Sequence, residues 1–198
     1  MNIRAVTESD IPGAAAVLAA AFAHDPSFGR VIGNLENPEE ALDALFRAQL
    51  RTQYIPRGVA DICEDEDGEM LGVALWERPG TTFGAGSYLR LASELARVFG
   101  TGLVKLAVSE AQAAKYHPEF PHWYLYTLVV APGAQGQGIG SQLLEHGLTR
   151  AGDDAVYLEA TTQGSARLYT RLGFVPLGEI PSKDAGPNEL AMWKPPVV

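Results

Sequence analysis

The sequence predicts a mixed α/β domain (α+β or α/β), a β-sheet layered with helices, and three observations carry that prediction. Segments with helical and strand periodicity alternate along the chain instead of separating into two blocks. The second half reads strand–helix–strand–helix and then two strands, from His122 to Trp193. The strand that opens this half, HWYLYTLVVAP (122–132), is apolar on both faces, which places it centrally in a covered sheet. With 198 residues, 46% of them hydrophobic, the chain has enough apolar material for one core spanning residues 1–198.

Ile3 to Val6 is a short apolar strand. Asp10 caps the next helix, Pro12 lies in its first turn, and the Ala-rich run PGAAAVLAAAF continues it until HDPSFGR (24–30) breaks it. Asn37 followed by Pro38, Glu39 and Glu40 repeats the cap and opens a second helix, with Leu42, Leu45, Phe46 and Leu50 on one face. Strands at 59–63 and 70–77 flank EDEDGE, whose Asp67-Gly68 pair is a hairpin-turn signal. Those charges read as a solvated turn; they lack the spacing of a calcium loop, and no metal site is expected.

Between Thr82 and Pro121, LRLASELARVF and LVKLAVSEAQAAKY are helical, with glycines between them. This helical insertion (82–121) either shapes a substrate pocket or covers the sheet. Beyond the central strand, GAQGQGIGS enters a helix carrying Ile139, Leu143, Leu144 and Leu148 on one side. A strand (155–160), a short helix (165–172) stopped by Gly173, and strands at 174–180 and 189–193 complete the chain.

The formal net charge is −9, and no Lys/Arg cluster is present to follow a phosphate backbone, which argues against nucleic acid as the partner. Net acidity suits a cationic partner such as a protonated amine, and equally serves solubility. No apolar run approaches the roughly 20 residues needed to cross a bilayer. No secretion or transit signal opens the chain, and Cys63 is the only cysteine, so no internal disulfide forms. A cytoplasmic monomer or homodimer, with no membrane partner, is the expectation.

The strongest chemical signal is Gln135-Gly136-Gln137-Gly138-Ile139-Gly140-Ser141, between the buried strand and an amphipathic helix. Glycines allow a sharp turn and close approach of a ligand to the backbone. The free N–H groups of the loop and first helical turn form an anion site at the positive end of the helix dipole, and its natural guest is a diphosphate. A nest of amides of this kind binds phosphate even on an acidic protein. The Walker pattern fails for want of a lysine before Ser141. The dinucleotide fingerprint is closer, with Glu159 about twenty residues on, but too little chain remains after it for a doubly wound sheet.

LVVAPGAQGQGIGSQLL, with Gln135, Gly138 and Gly140 at the matching positions, resembles the signature Gln/Arg-x-x-Gly-x-Gly/Ala of the Gcn5-related N-acetyltransferases. The block YLEATTQGSARLYTRLGF (157–174) is similar to that family's second motif. Across the whole chain there is a looser likeness to the puromycin N-acetyltransferases, in AAAFAHDP, VALWERP, HWYLYTL and AMWKPP. The resemblance implies a mostly antiparallel sheet with splayed central strands and helices on both faces. It implies acetyl-coenzyme A (acetyl-CoA) as cosubstrate and an amine as acceptor, from a small molecule or, alternatively, a protein or peptide; a non-catalytic acyl-CoA-binding sensor is the alternative from a different class.

By the same resemblance, backbone groups of Leu128 and Val130 pair with the pantetheine arm, and the developing charge on the thioester carbonyl calls for a backbone N–H of that strand, from Val129 or Val130. Residues Gln135, Gly136, Gln137, Gly138, Ile139, Gly140 and Ser141 hold the diphosphate. Tyr169 protonates the leaving thiolate, and Ser165 stands where many relatives carry an asparagine that bonds the cofactor arm. Transfer to an amine also needs a base, because a protonated nitrogen has no lone pair. Glu159 is a candidate, being a carboxylate in an apolar strand, and His117 or His122 could relay protons. Tyr124 and Tyr126, read as sharing a strand face with Leu128 and Val130, would border the acetyl group. Phe28, Trp76 and Phe83 are candidates to line the acceptor pocket, and Cys63 reads as a core residue.

Overall fold

A computed structural model describes residues 1–23, 35, 37–81, 83–100, 102–181 and 188–197. Seven strands form one sheet: β1 (Asn2–Ala5), β2 (Val59–Glu64), β3 (Met70–Glu77), β4 (Trp123–Val130), β5 (Val156–Ala160), β6 (Val175–Ile180) and β7 (Glu189–Lys194). Their spatial order is β1-β2-β3-β4-β5-β7-β6. Only β4 and β5 pair in parallel; the other neighbours are antiparallel.

Helices α1 (Ile11–Phe22) and α2 (Pro38–Gln49) cover one face of the first half of the sheet. The small residues Ala14, Ala15 and Ala19 of α1 are buried and let the two helices approach closely. Asp10 precedes α1 but works mainly through Arg4, whose guanidinium it binds, and through the Thr7 N–H, which donates to its Oδ2 at 2.8 Å. The Arg4 contact holds the Asp10 carboxyl well below the usual carboxylate range. α2 runs on into a π-helical turn (Leu50–Tyr54) that buries Thr52, Gln53 and Tyr54. Between β2 and β3, Asp65 Oδ1 accepts from the N–H groups of Asp67 and Glu69, and Gly68 takes φ +82°, which closes the expected hairpin.

The opposite face carries α5 (Ile139–Ala151) and α6 (Gln163–Arg171) over a second core. Arg150 of α5 donates from Nη2 to both oxygens of the buried Asp61 in β2, at 2.8 and 2.9 Å, anchoring helix to sheet. Trp76 is fully buried in this core, contrary to its expected place in an acceptor pocket. The reason lies on α5: Gly147 has no side chain, and a Cβ there would come within 2.1 Å of the Trp76 ring. The indole fills the space between sheet and helix that this glycine opens. Cys63 is buried in the same core, and burial raises its thiol's pKa.

Of the insertion helices, α3 (Ala85–Phe99) buries Leu95 and Phe99 against the first core, and α4 (Gly102–Ala113) follows it. The segment after them, 117–122, returns to the sheet and lies on Tyr124 and Tyr157. Phe83 joins the first core, its ring 5.7 Å from Tyr54. Phe28 lies outside the described residues.

Candidate active site

The sheet opens at one seam. Parallel strands β4 and β5 are joined by three rungs, Trp123↔Val156, Tyr124↔Tyr157 and Leu125↔Leu158, and past Leu125 no pairing continues although both strands do. On its other side β4 stays paired with β3 as far as Val130, and the Ala131 N–H donates to the Leu71 carbonyl at 2.8 Å. Backbone groups alternate in direction along an antiparallel pair. If Ala131 faces β3, so does Val129, while Leu128 and Val130 turn their N–H and C=O toward the open seam. This corrects the reading of Val129: its backbone is spent on β3 and its side chain is buried in the first core.

A β-bulge makes the second correction. Leu75 pairs with Thr127 but Trp76 with Leu125, so Tyr126 is an extra residue on β4. One inserted residue reverses the side-chain alternation beyond it. Leu128 and Val130 therefore pack with α5 and α6, whereas Tyr124 and Tyr126 lie on the opposite face. The two tyrosines do not share a face with the two aliphatic residues.

At the far end of the seam stands the glycine loop. Gly136 and Gly138 adopt φ +79° and +82°, a left-handed conformation that disfavours any side chain, and nothing lies within 4 Å of where their Cβ atoms would be. Among the described residues, no carbonyl or side chain accepts from the N–H groups of residues 135 to 141. These free donors lie in the loop and first turn of α5, where the helix dipole also favours an anion. The loop thus fits a diphosphate, with Leu128 and Val130 placed to pair with an extended amide-bearing arm. The Ile139 side chain is buried in the core, which leaves only its backbone to face a ligand. Gln135 Nε2 reaches back toward the Val130 carbonyl at 3.4 Å.

The two faces of the seam carry different chemistry. On the α5–α6 side, Tyr169 packs in the same core as Leu128, Val130 and Ala160, its ring 5.9 Å from Phe174. Burial pushes its pKa up to about 12, so it holds its proton at neutral pH, and its hydroxyl has no hydrogen-bond partner among the described residues. Ser165 lies one turn earlier, at the third position of a capping box: its N–H donates to Thr162 Oγ1 at 3.1 Å, and its hydroxyl accepts from the Thr162 N–H and donates to the Thr162 carbonyl at 2.8 Å. That cap occupies the donor that the cofactor arm was expected to use.

On the other face, Glu159 is the first residue of β5 past the last rung. Its carboxylate accepts from the Tyr124 hydroxyl at 2.8 Å and the Tyr157 hydroxyl at 3.1 Å, and His117 Nε2 is 3.5 Å away. Burial first, and the carboxylate second, raise the pKa of Tyr157 and keep it a donor. His117 packs edge-on against Tyr124 and tilted against Tyr157, with ring centroids 4.3 and 4.8 Å apart. Beside them opens a cleft of about 270 Å³ that Glu77, His117, Phe120, His122 and Tyr124 help to line. Tyr126 adds two neighbours that the sequence did not reveal, Gln49 (Nε2 to the Tyr126 hydroxyl, 3.0 Å) and Tyr54 (ring centroids 5.5 Å).

A sheet parted at one seam, with a glycine loop and a helix N-terminus at its end, is the arrangement of a coenzyme A-dependent acyltransferase. The family model for the GNAT acetyltransferases matches residues 36–174, and the chain belongs to that family. A crystal structure from Corynebacterium glutamicum, described as histone acetyltransferase HPA2 and related acetyltransferase, is 46% identical with TM-score 0.83, over 100% of this chain and 97% of that one. Two more distant structures share the fold. The polyamine N-acetyltransferase of Drosophila melanogaster, which forms N-acetylagmatine, is 19% identical with TM-score 0.63, over 97% of both chains. Naa20 of Chaetomium thermophilum, in complex with a bisubstrate analogue, is 16% identical with TM-score 0.55, over 98% of this chain and 86% of that one. The protein is an acetyl-CoA-dependent N-acetyltransferase. No helix among the described residues is long and apolar enough to cross a membrane.

Proposed function

We propose that the enzyme acetylates the amine of a small molecule by direct transfer. The observation that carries this reading is the enclosure of Glu159: its side chain is 10% exposed, beneath Tyr124 and His117, beside a cleft of small-molecule size. A polypeptide acceptor would call for an open groove.

Acetyl-CoA supplies the acyl carbon as a thioester. The loop amides of 135–141 bind its diphosphate, and the seam-facing groups of Leu128 and Val130 orient its arm along β4. Glu159 accepts the proton that the acceptor nitrogen must lose before it has a lone pair to offer. The Tyr124 and Tyr157 hydroxyls fix the carboxylate's orientation. As the new C–N bond forms and the C–S bond breaks, Tyr169 on the opposite face gives its proton to the departing sulfur, and the second proton shed by the new amide nitrogen returns through water to restore the Tyr169 hydroxyl. No covalent intermediate with the protein is needed, and buried Cys63 takes no part.

One observation favours a second reading, a protein acceptor: the 46% identical structure from Corynebacterium glutamicum is described as related to a histone acetyltransferase. Thiol release with acetyl-CoA decides between them, using agmatine, 2-phenylethylamine and a lysine-bearing histone-tail peptide as acceptors. Turnover of an amine with kcat/KM well above the peptide's supports the proposal. Preference for the peptide, or no release with any small amine, refutes it.

A further inference from the structure

We propose that His117 is the outlet for the proton that Glu159 collects, passing it from the buried carboxyl to water in the adjoining cleft. This rests on the assignment of Glu159 as base and extends it to a residue that no motif contains.

A base that takes one proton per turnover must release it before the next, and Glu159 is nine-tenths buried. Among the described residues, three groups contact its carboxylate: the hydroxyls of Tyr124 and Tyr157, and His117 Nε2. The hydroxyls already donate to it, and a phenol titrates near pH 10 at the lowest, too high to cycle at neutral pH. Imidazole is the side chain that both binds and releases a proton there. His122, its ring 6.0 Å from that of His117, is a poorer candidate: its Nδ1 lies 2.7 Å from the Phe120 carbonyl, and burial lowers its pKa.

Position supports the same role. The His117 side chain is 24% exposed, so it bridges the buried carboxyl and the open cleft. Its ring is clamped on Tyr124 and Tyr157, which holds Nε2 toward Glu159. The charged groups facing the cleft are Glu77 and Arg78 at the end of β3 and Glu119 on the histidine's own segment. Farther off, Glu189 of β7 acts on Tyr157. The distance of 3.5 Å is an ion-pair distance, and closing it by roughly 0.5 Å would make a hydrogen bond.

The steps balance. The ammonium N–H bond breaks and its proton joins a Glu159 oxygen; Glu159 passes it to His117 Nε2; the imidazolium loses a proton from Nδ1 to cleft water. Exchange with the same water restores the starting tautomer. The insertion thereby gains a purpose, since it is the segment leaving α4 that lays His117 on the seam.

The test uses whichever amine of the acceptor panel is turned over fastest, and measures kcat, the KM for acetyl-CoA and the melting temperature. Variants are His117→Ala, His117→Gln and Glu159→Gln. Both histidine variants should lose roughly ten- to hundredfold in kcat with the KM for acetyl-CoA unchanged. Added imidazole should restore His117→Ala, in proportion to its neutral fraction as pH is raised, and should leave His117→Gln unrescued because the glutamine fills the space. A kcat within about twofold of wild type in both variants overturns the relay, as does a loss that imidazole does not repair. If Glu159→Gln retains full kcat, the base assignment itself has failed; if Glu159→Gln is impaired and His117→Ala is not, only the relay has.

Discussion

Replacing Tyr169 by phenylalanine removes one oxygen and leaves the aromatic packing against Phe174 in place. Two consequences follow from that atom. As the proton donor to the leaving sulfur, it should be worth about 10²–10⁴ in kcat, with little change in acetyl-CoA affinity because the loop and seam do the binding. The second consequence concerns stability in alkali. Burial raises the pKa of the hydroxyl from 10 to about 12, so the folded state favours the neutral form by on the order of 3 kcal/mol. Between about pH 10 and pH 12 the unfolded chain releases this proton while the native state keeps it. The unfolded state then binds fewer protons, and stability falls as pH rises through that window. Phenylalanine has no such term, so the difference between wild type and variant isolates it from the other tyrosines. Thiol-release kinetics, calorimetric titration with acetyl-CoA, and urea unfolding from pH 9 to 12 measure the three quantities. A variant with kcat within about threefold of wild type refutes the acid role. An unchanged alkaline difference would show that the buried hydroxyl does not titrate as described.

Gly138→Ala forces a side chain into φ +82°; we expect acetyl-CoA affinity to fall and about 1–2 kcal/mol of stability to be lost, by calorimetry and urea unfolding. Gly147→Ala drives a methyl group into the Trp76 ring, and a loss of at least about 1–3 kcal/mol should appear as a clear drop in melting temperature. Asp10 contributes stability above the ordinary carboxylate range that disappears as pH falls through its depressed pKa, so the acid limb of the stability curve should flatten in Asp10→Asn. An identical acid limb in the variant would argue against the Arg4 contact.

Local rules served the sequence reading well wherever structure is decided locally. The Asp67-Gly68 turn, the Met70–Glu77 strand and the glycine loop follow from residue type and spacing, and each is found where expected. The misreadings concern relations between distant segments. Alternation along β4 was read as unbroken, but the bulge at Tyr126 exists only in the register with β3, and one surplus residue moved two tyrosines to the other face. Trp76 has the size and polarity of a pocket residue; that it is core depends on a glycine about seventy residues later. Glu159 announced itself as a carboxylate in an apolar strand, yet its neighbours Tyr124 and His117 are brought to it by the sheet and by the segment after the insertion. Gln49 carried no signal at all, because a helical glutamine is ordinarily solvated.

The seam between β4 and β5 gives the molecule one further property. A sheet normally closes all of its interior ladder with its own peptide groups, but here the β4–β5 ladder ends at Leu125 and Leu158, and a pantetheine amide can extend it. The cosubstrate then behaves as an eighth partner in the architecture, and amide protons at Leu128 and Val130 should exchange with solvent quickly until it arrives. By linkage, acetyl-CoA that binds only the folded chain should raise its melting temperature as the thioester concentration rises.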